Sequence, residues 1–406
     1  MTLPSLGTMI RKIRNSWRRP EILLPPSTFV FGFFVGMMLA LVPLYMYAHG
    51  YDVSAIGAVV AAQAVFQMGL RVVAGAVADR YGEPRVITAG FVAMIISALL
   101  FMVSTNLGLM LLAQLFTGAS RAAHMPASKS YASRIHEGNA AGNMGRTLGA
   151  TTLGNIAGPV VGGLLSTAIG FSGAFAVAAV VATVGFTVSF LLPGLPRKQA
   201  QTVGEAFARV PAMIRSRASV LPGLIALFAA SSMAVMTSVF VVLLRDSDSG
   251  ETTVGLILGA VALGASAASF GFATIHQKIG SRGVFALLFG AIGAGMVVIA
   301  LTDTVILWLI FAGIVGAGVG LGAVMYGLLA AISSKPEERG VAMSVAGLYW
   351  AGGMLVGPLA YGALAEAIGT SHAVVTAGAF SVSLSLFTPI VFVMLSPKPR
   401  VERPEM

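Results

Sequence analysis

The chain has 406 residues, 57% hydrophobic and only 10% charged, with mean hydropathy +0.89, formal net charge +10 and no cysteine. A soluble domain carries about 25% charged residues, so this composition excludes a water-soluble globular protein. Without cysteine there are no disulfides and no thiolate metal sites.

A basic segment with Arg11, Lys12, Arg14, Arg18 and Arg19 opens the chain, and no cleavage-type signal peptide is read there. The first apolar run is expected to act as its own uncleaved signal. Twelve stretches are predicted to span a membrane, near 28–48, 54–78, 86–104, 107–132, 144–168, 171–193, 219–243, 253–275, 284–302, 305–332, 340–367 and 371–395. Each is close to the ~20 residues that cross a bilayer as helix. Lipid offers no partner to backbone polar groups, so helices rather than open strands are predicted. Turn chemistry or charge separates the runs, as in HGYD at 49–52, STN at 104–106, RDSDSGE at 245–251 and SKPEERG at 334–340.

Between the sixth and seventh runs, Val203, Phe207, Val210 and Ile214 recur at helical spacing among basic residues, the pattern of an interfacial helix. The predicted organisation is a basic N-terminus (1–27), a six-helix bundle (28–193), a linker with an amphipathic helix (194–218), a second six-helix bundle (219–395) and a tail (396–406). Both termini then share a side with Arg80, Arg85, Arg134, the linker, Lys278, Arg282, Lys335, Arg339, Lys398, Arg400 and Arg403, and the opposite side holds Arg245. Positive-inside bias makes the crowded side cytoplasmic, in the inner membrane. Topology and anionic lipid headgroups account for the positive charge, and no nucleic acid partner is needed.

The two halves repeat. VSAIGAVVAAQ (53–63) aligns with TTVGLILGAVA (252–262), bringing Gly57 onto Gly255, and at the same offset Gly82 falls on Gly280. GNIAGPVVGGLLSTAIG (154–170) aligns with GMLVGPLAYGALAEAIG (353–369), so Gly154, Gly158, Pro159, Gly163 and Gly170 meet Gly353, Gly357, Pro358, Gly362 and Gly369. Parallel repeats about an axis along the membrane normal are a transporter architecture, with the site between halves near the midplane.

Charge is scarce, yet GAVADRYGEPR (75–85) concentrates it between the second and third spans. Gly75, Asp79, Arg80, Gly82 and Arg85 match G-x-x-x-D-R-x-G-x-x-R, and the stretch resembles the loop signature of the major facilitator superfamily; Glu83 and Pro84 stand where that family often has two basic residues. The resemblance implies an all-α fold of two pseudo-symmetric six-helix bundles and transport by alternating access. It also implies a cytoplasmic latch, in which Asp79 meets the N-terminus of the eleventh span near Gly340, where a carboxylate is favoured. The second half has no such acid, only Gln277, Lys278, Gly280 and Arg282. In the fifth span Gly154, Gly158, Pro159, Gly162 and Gly163 resemble the family's antiporter signature, which implies export. Small residues at i and i+4 also permit close helix contact, and proline bends the helix; the eleventh span shares this pattern.

The family lines its central cavity with the first, fourth, seventh and tenth spans. All 15 acids lie in loops, tails or span ends. Basic residues enter the spans instead: Arg71 in the second, and Arg121 and His124, three apart on one helical face, in the fourth, with Lys129 beyond. Gln114 occupies the place of the family's fourth-span arginine. Arg121 is the candidate for substrate or coupling. Arg71 either snorkels to the interface or bonds free carbonyls. His124, the one such group that titrates near neutrality, is the candidate for proton coupling. Burying unpaired charge is costly, so a basic cavity calls for an anionic or amphipathic substrate, with Tyr326, Tyr349 and Trp350 as apolar walls or ordinary packing. No nucleotide-binding loop, metal spacing or nucleophile set is present, so neither an enzyme nor a cofactor is expected. The partners expected are a small-molecule substrate, membrane lipids and protons, with the chain a monomer. A broad-specificity multidrug efflux pump and a non-transporting sensor are the alternatives.

Overall fold

A computed structural model describes residues 20–104, 106–135, 140–195, 211, 214, 216–333 and 339–390. Eleven helices carry them: α1 (Pro20–Ala48), α2 (Val53–Tyr81), α3 (Glu83–Val103), α4 (Leu107–Arg134), α5 (Ala140–Phe190), α6 (Arg217–Met236), α7 (Val239–Asp246), α8 (Glu251–Ala300), α9 (Val305–Ile332), α10 (Arg339–Ile368) and α11 (Thr370–Leu386). Residues 1–19 of the basic N-terminus, nearly all of the predicted linker helix and the tail lie outside the described residues.

The helices make twelve spans. α5 has 51 residues and α8 has 50, each more than twice the ~20 needed to cross. Each reverses at one glycine, Gly170 (φ 74°) and Gly280 (φ 65°). α5 thus supplies the fifth and sixth spans, and α8 the eighth and ninth. α6 and α7 together form the seventh. α4 is the least apolar crossing helix, because Gln114, Arg121, His124 and Lys129 interrupt it.

The repeat read from sequence reappears in the turns. Gly82 (φ 94°) and Gly280 (φ 65°) close the second and eighth spans, and Gly170 (φ 74°) and Gly369 (φ 91°) close the fifth and eleventh. These are the two pairs that the alignment superimposes. Only glycine takes such angles freely, so each half turns back at the same points.

Two boundaries differ from expectation. α1 begins at Pro20 rather than near 28; proline at the first helical position forfeits an N–H that has no partner there anyway. The seventh span is not continuous. Backbone angles break at Ser238 (φ −134°, ψ −85°), between α6 and α7. No glycine or proline marks the break. The Thr237 hydroxyl donates to the Met233 and Ala234 carbonyls at 3.2 Å, and the Ser238 hydroxyl to Ala234 at 2.7 Å, so side chains add to the bonds that the Thr237 backbone N–H makes to the same carbonyls at the end of α6.

Glu83 does more than replace a basic residue of the loop signature. It is 2% exposed, pairs with Arg134 at the end of α4, and accepts from the Ser130 hydroxyl at 2.9 Å. A buried carboxylate needs such partners. Arg134→Ala is expected to cost about 2 kcal/mol, since Ser130 still serves the acid, and thermal unfolding should show Glu83→Gln with Arg134→Met recovering most of it. Equal stability of single and double variants would refute the pairing.

Candidate functional site

Two crossings join the halves, related by the repeat. A methyl group built on Gly57 of α2 would lie 2.4 Å from the Pro358 carbonyl oxygen of α10. One built on Gly255 of α8 would lie 2.5 Å from the Pro159 carbonyl oxygen of α5. Gly163 and Gly362 complete these crossings against the Glu251 and Val53 carbonyls. The glycine-proline motif of the fifth span therefore has two faces. Gly154 and Gly158 let α1 approach, with methyl positions 2.2 and 2.3 Å from the Phe29 and Phe33 carbonyl oxygens, and Pro159 and Gly163 hold the opposite half. Gly162 sits against Met37 and Leu41.

Both crossings lie toward the face that carries the α1–α2 turn, and polar contacts close that face further. The Tyr47 hydroxyl of α1 donates to Asp246 Oδ1 of α7 at 3.0 Å, and Thr370 of α11 donates to Oδ2 at 3.2 Å. Arg245 pairs with Glu251 at 3.3 Å, and Thr167 of α5 reaches the same carboxylate at 3.4 Å. Toward the α2–α3 face, Gly145 and Gly149 of α5 have nothing within 4 Å of a methyl position. The halves are sealed against each other on the α1–α2 face.

Between them lies the basic site. Gly118 of α4 meets the backbone of α2 at Gln63, with a methyl position 2.0 Å from its carbonyl oxygen. That approach sets Arg121 Nη1 3.1 Å from Gln63 Oε1. Arg121 Nε is buried without a partner. Arg71 lies within electrostatic reach of Arg121, Lys129 and the Tyr326 hydroxyl. Its guanidinium lies over Gly347 of α10, where a methyl group would sit 2.8 Å from Cζ. Among the described residues neither Arg71 nor Arg121 has an acidic partner. Trp350 stands 5.6 Å from the Tyr326 ring and packs against the cluster of Ala64, Ala230, Ala234 and Met354, which draws on both halves.

The chain matches the sequence model of the Major Facilitator Superfamily over residues 26–250 and again over 223–406. It belongs to that superfamily. Its fold resembles the nucleoside transporter NupG (TM-score 0.80, 13% identity, 92% of this chain and 99% of that one) and a POT family transporter in complex with 5-aminolevulinic acid (TM-score 0.78, 14% identity, 94% and 97%). A stretch of 126 residues is 28% identical to Multidrug resistance protein 2 of Bacillus subtilis (strain 168), covering 31% of this chain and 32% of that protein, about a third of its length. The protein is a multi-pass membrane transporter of a small molecule, not an enzyme.

The superfamily's loop residues are only partly in view. Gly82 ends α2 and Gly75 lies within it. Arg80 and Arg85 are exposed, Arg80 5.4 Å from the Tyr81 ring and Arg85 reaching the Tyr81 carbonyl at 3.5 Å. The side chain of Asp79, and those of residues 339–344 that it was expected to meet, lie outside the described residues.

Arg121 and His124 part company. Three residues on a helix leave side chains about 60° apart, enough here to face different neighbours. His124 is 1% exposed, stacked on Phe31 at 4.0 Å and edge-on to Phe91 at 5.1 Å, with neither ring nitrogen bonded. Tyr349 packs against Gly223 of α6 and donates to the Ile214 carbonyl at 3.5 Å, on the far side of α10 from Gly347. The sequence reading missed Gln63, whose signal was one amide in the apolar run 53–63, and the polar seal around Asp246.

Proposed function

We propose that this transporter exports a small organic anion with an apolar part by alternating access between its two six-helix halves. The observation that carries the reading is Arg121, held in a membrane-spanning helix by an uncharged amide, with Arg71 nearby and, among the described residues, no acid beside either. Burying unpaired positive charge is costly, and an anion bound between the halves would offset that cost on each cycle. Tyr326 and Trp350 would take the apolar part. The Lys and Arg distribution orients the α2–α3 face and both termini to the cytoplasm of the inner membrane. The sealed α1–α2 face then looks outward. The Asp79 loop, with Arg80 and Arg85, would latch the other state, and protons are the proposed coupling ion. Export draws on the name of the multidrug-resistance relative, because the fifth-span motif is engaged in packing.

That same relative favours a second reading, efflux of assorted lipophilic compounds. One experiment separates the two: thermal stabilisation of the purified chain by organic anions, phosphorylated metabolites, lysolipids and lipophilic cations, with Arg121→Ala beside it. Anions are expected to stabilise, and Arg121→Ala to weaken them roughly 30-fold, the size of one charge-assisted bond of about 2 kcal/mol. Stabilisation by cations, indifferent to Arg121, would replace the anion reading with multidrug efflux.

A further inference from the structure

The break between α6 and α7 lies beside a small cleft of about 10 Å³ between α1, α2 and α4, room for one water-sized group. Val35 and Met38 form its apolar wall, and Gln63, Gln114 and Thr237 its polar one. Gln114 is 3% exposed, and its Oε1 has no hydrogen-bond partner. The hydrogen-bonding groups around it are engaged with one another. Gln63 Nε2 donates to the Val60 carbonyl at 3.1 Å and Gln63 Oε1 accepts from Arg121, while the Thr237 hydroxyl gives its proton to carbonyls of α6. The cleft lacks a donor for Gln114.

Charge narrows the kind of donor. Arg121 stands seven residues beyond Gln114 on α4, two turns along one face and roughly 10 Å down the axis. Gln63 touches both ends, lining the cleft and holding Arg121. An ammonium group would sit in the field of Arg121 and Arg71, whereas a hydroxyl carries no such penalty. A hydroxyl also satisfies the Gln114 amide in either orientation, because it donates and accepts.

We propose that this cleft is a subsite for a hydroxyl group of the transported anion, which makes the substrate class hydroxylated organic anions with the two groups at opposite ends of an apolar segment. The inference rests on the anion reading above. Gln114 takes the hydroxyl, Arg121 takes the anionic group, and Thr237 makes the helix break part of the site.

The test uses straight-chain alkanoates of increasing length and the matching ω-hydroxyalkanoates, with binding to the purified full-length chain measured by calorimetry. At one chain length the hydroxyl should tighten binding about fivefold, the effect of one neutral hydrogen bond, and at shorter lengths it should add nothing. Gln114→Leu should erase that gain and leave the parent alkanoate within about twofold, while Arg121→Ala should weaken both series. Alkanoates that bind with no gain from the hydroxyl at any length overturn the subsite and leave the anion reading standing. Failure of both series to bind overturns both. The comparison of the two series on the native chain decides the matter even if Gln114→Leu does not fold.

Discussion

Gly118→Val is expected to leave little folded protein. A methyl group at this position falls 2.0 Å from the Gln63 carbonyl oxygen, 2.8 Å from its carbonyl carbon and 3.0 Å from its Cα. All three are backbone atoms of α2, so no side chain can swing aside to make room. α2 and α4 must separate, and separation costs packing along the whole contact. Overpacking of this kind costs about 3 kcal/mol or more, which lowers the midpoint of thermal unfolding by roughly 6–12 °C. It also takes Gln63 away from Arg121. Gly149→Ala is the control: that glycine has nothing within 4 Å, so the change should be neutral or stabilising by about 0.5–1 kcal/mol. If both variants unfold at the native temperature, α2 and α4 do not meet as closely as the structure has them.

What was legible in the sequence is what backbone geometry writes directly into residue type. Gly82 and Gly280, and Gly170 and Gly369, align because each pair must take positive φ at the same turn of its half. Gly57 and Gly255, with Pro358 and Pro159 as their partners, align because each crossing between halves needs the same bare backbone. Scarcity of charge made the spans readable, and it made Arg71 and Arg121 conspicuous. The break at Ser238 was not legible, because serine and threonine hydroxyls bond the carbonyls of the preceding turn at a helix end and within an unbroken helix alike. Nor could spacing tell that His124 would stack between Phe31 and Phe91. A difference of 60° around α4 decides that, and it depends on which helices stand beside it. Asp246 read as a loop acid, since its partners Tyr47 and Thr370 are far from it in the chain.

Gly57→Leu and Gly255→Leu should do something different from Gly118→Val, although the clashes look alike. At Gly57 a methyl group meets Pro358 and Gly362, and at Gly255 it meets Pro159 and Gly163, in both cases atoms of the opposite half. The alternating access proposed above would part these contacts once in every cycle, and the atoms nearest the added Cβ all belong to the opposite half. The folded halves can therefore survive the substitution by adopting the state in which the α1–α2 face is open. A penalty of about 3 kcal/mol on the sealed state alone shifts the ratio of the two states by more than 100-fold. The readout is a distance between spin labels at Leu107→Cys and Val305→Cys, both exposed at the ends of helices on that face, one in each half. The chain has no cysteine of its own, so the labels go only where they are placed. Each leucine variant should lengthen the distance and reduce substrate flux to a small fraction of native, with a loss of thermal stability well below that of Gly118→Val. An unchanged distance with native flux would mean that the two crossings do not part during transport, and the sealed face would then be a fixed seam rather than a gate.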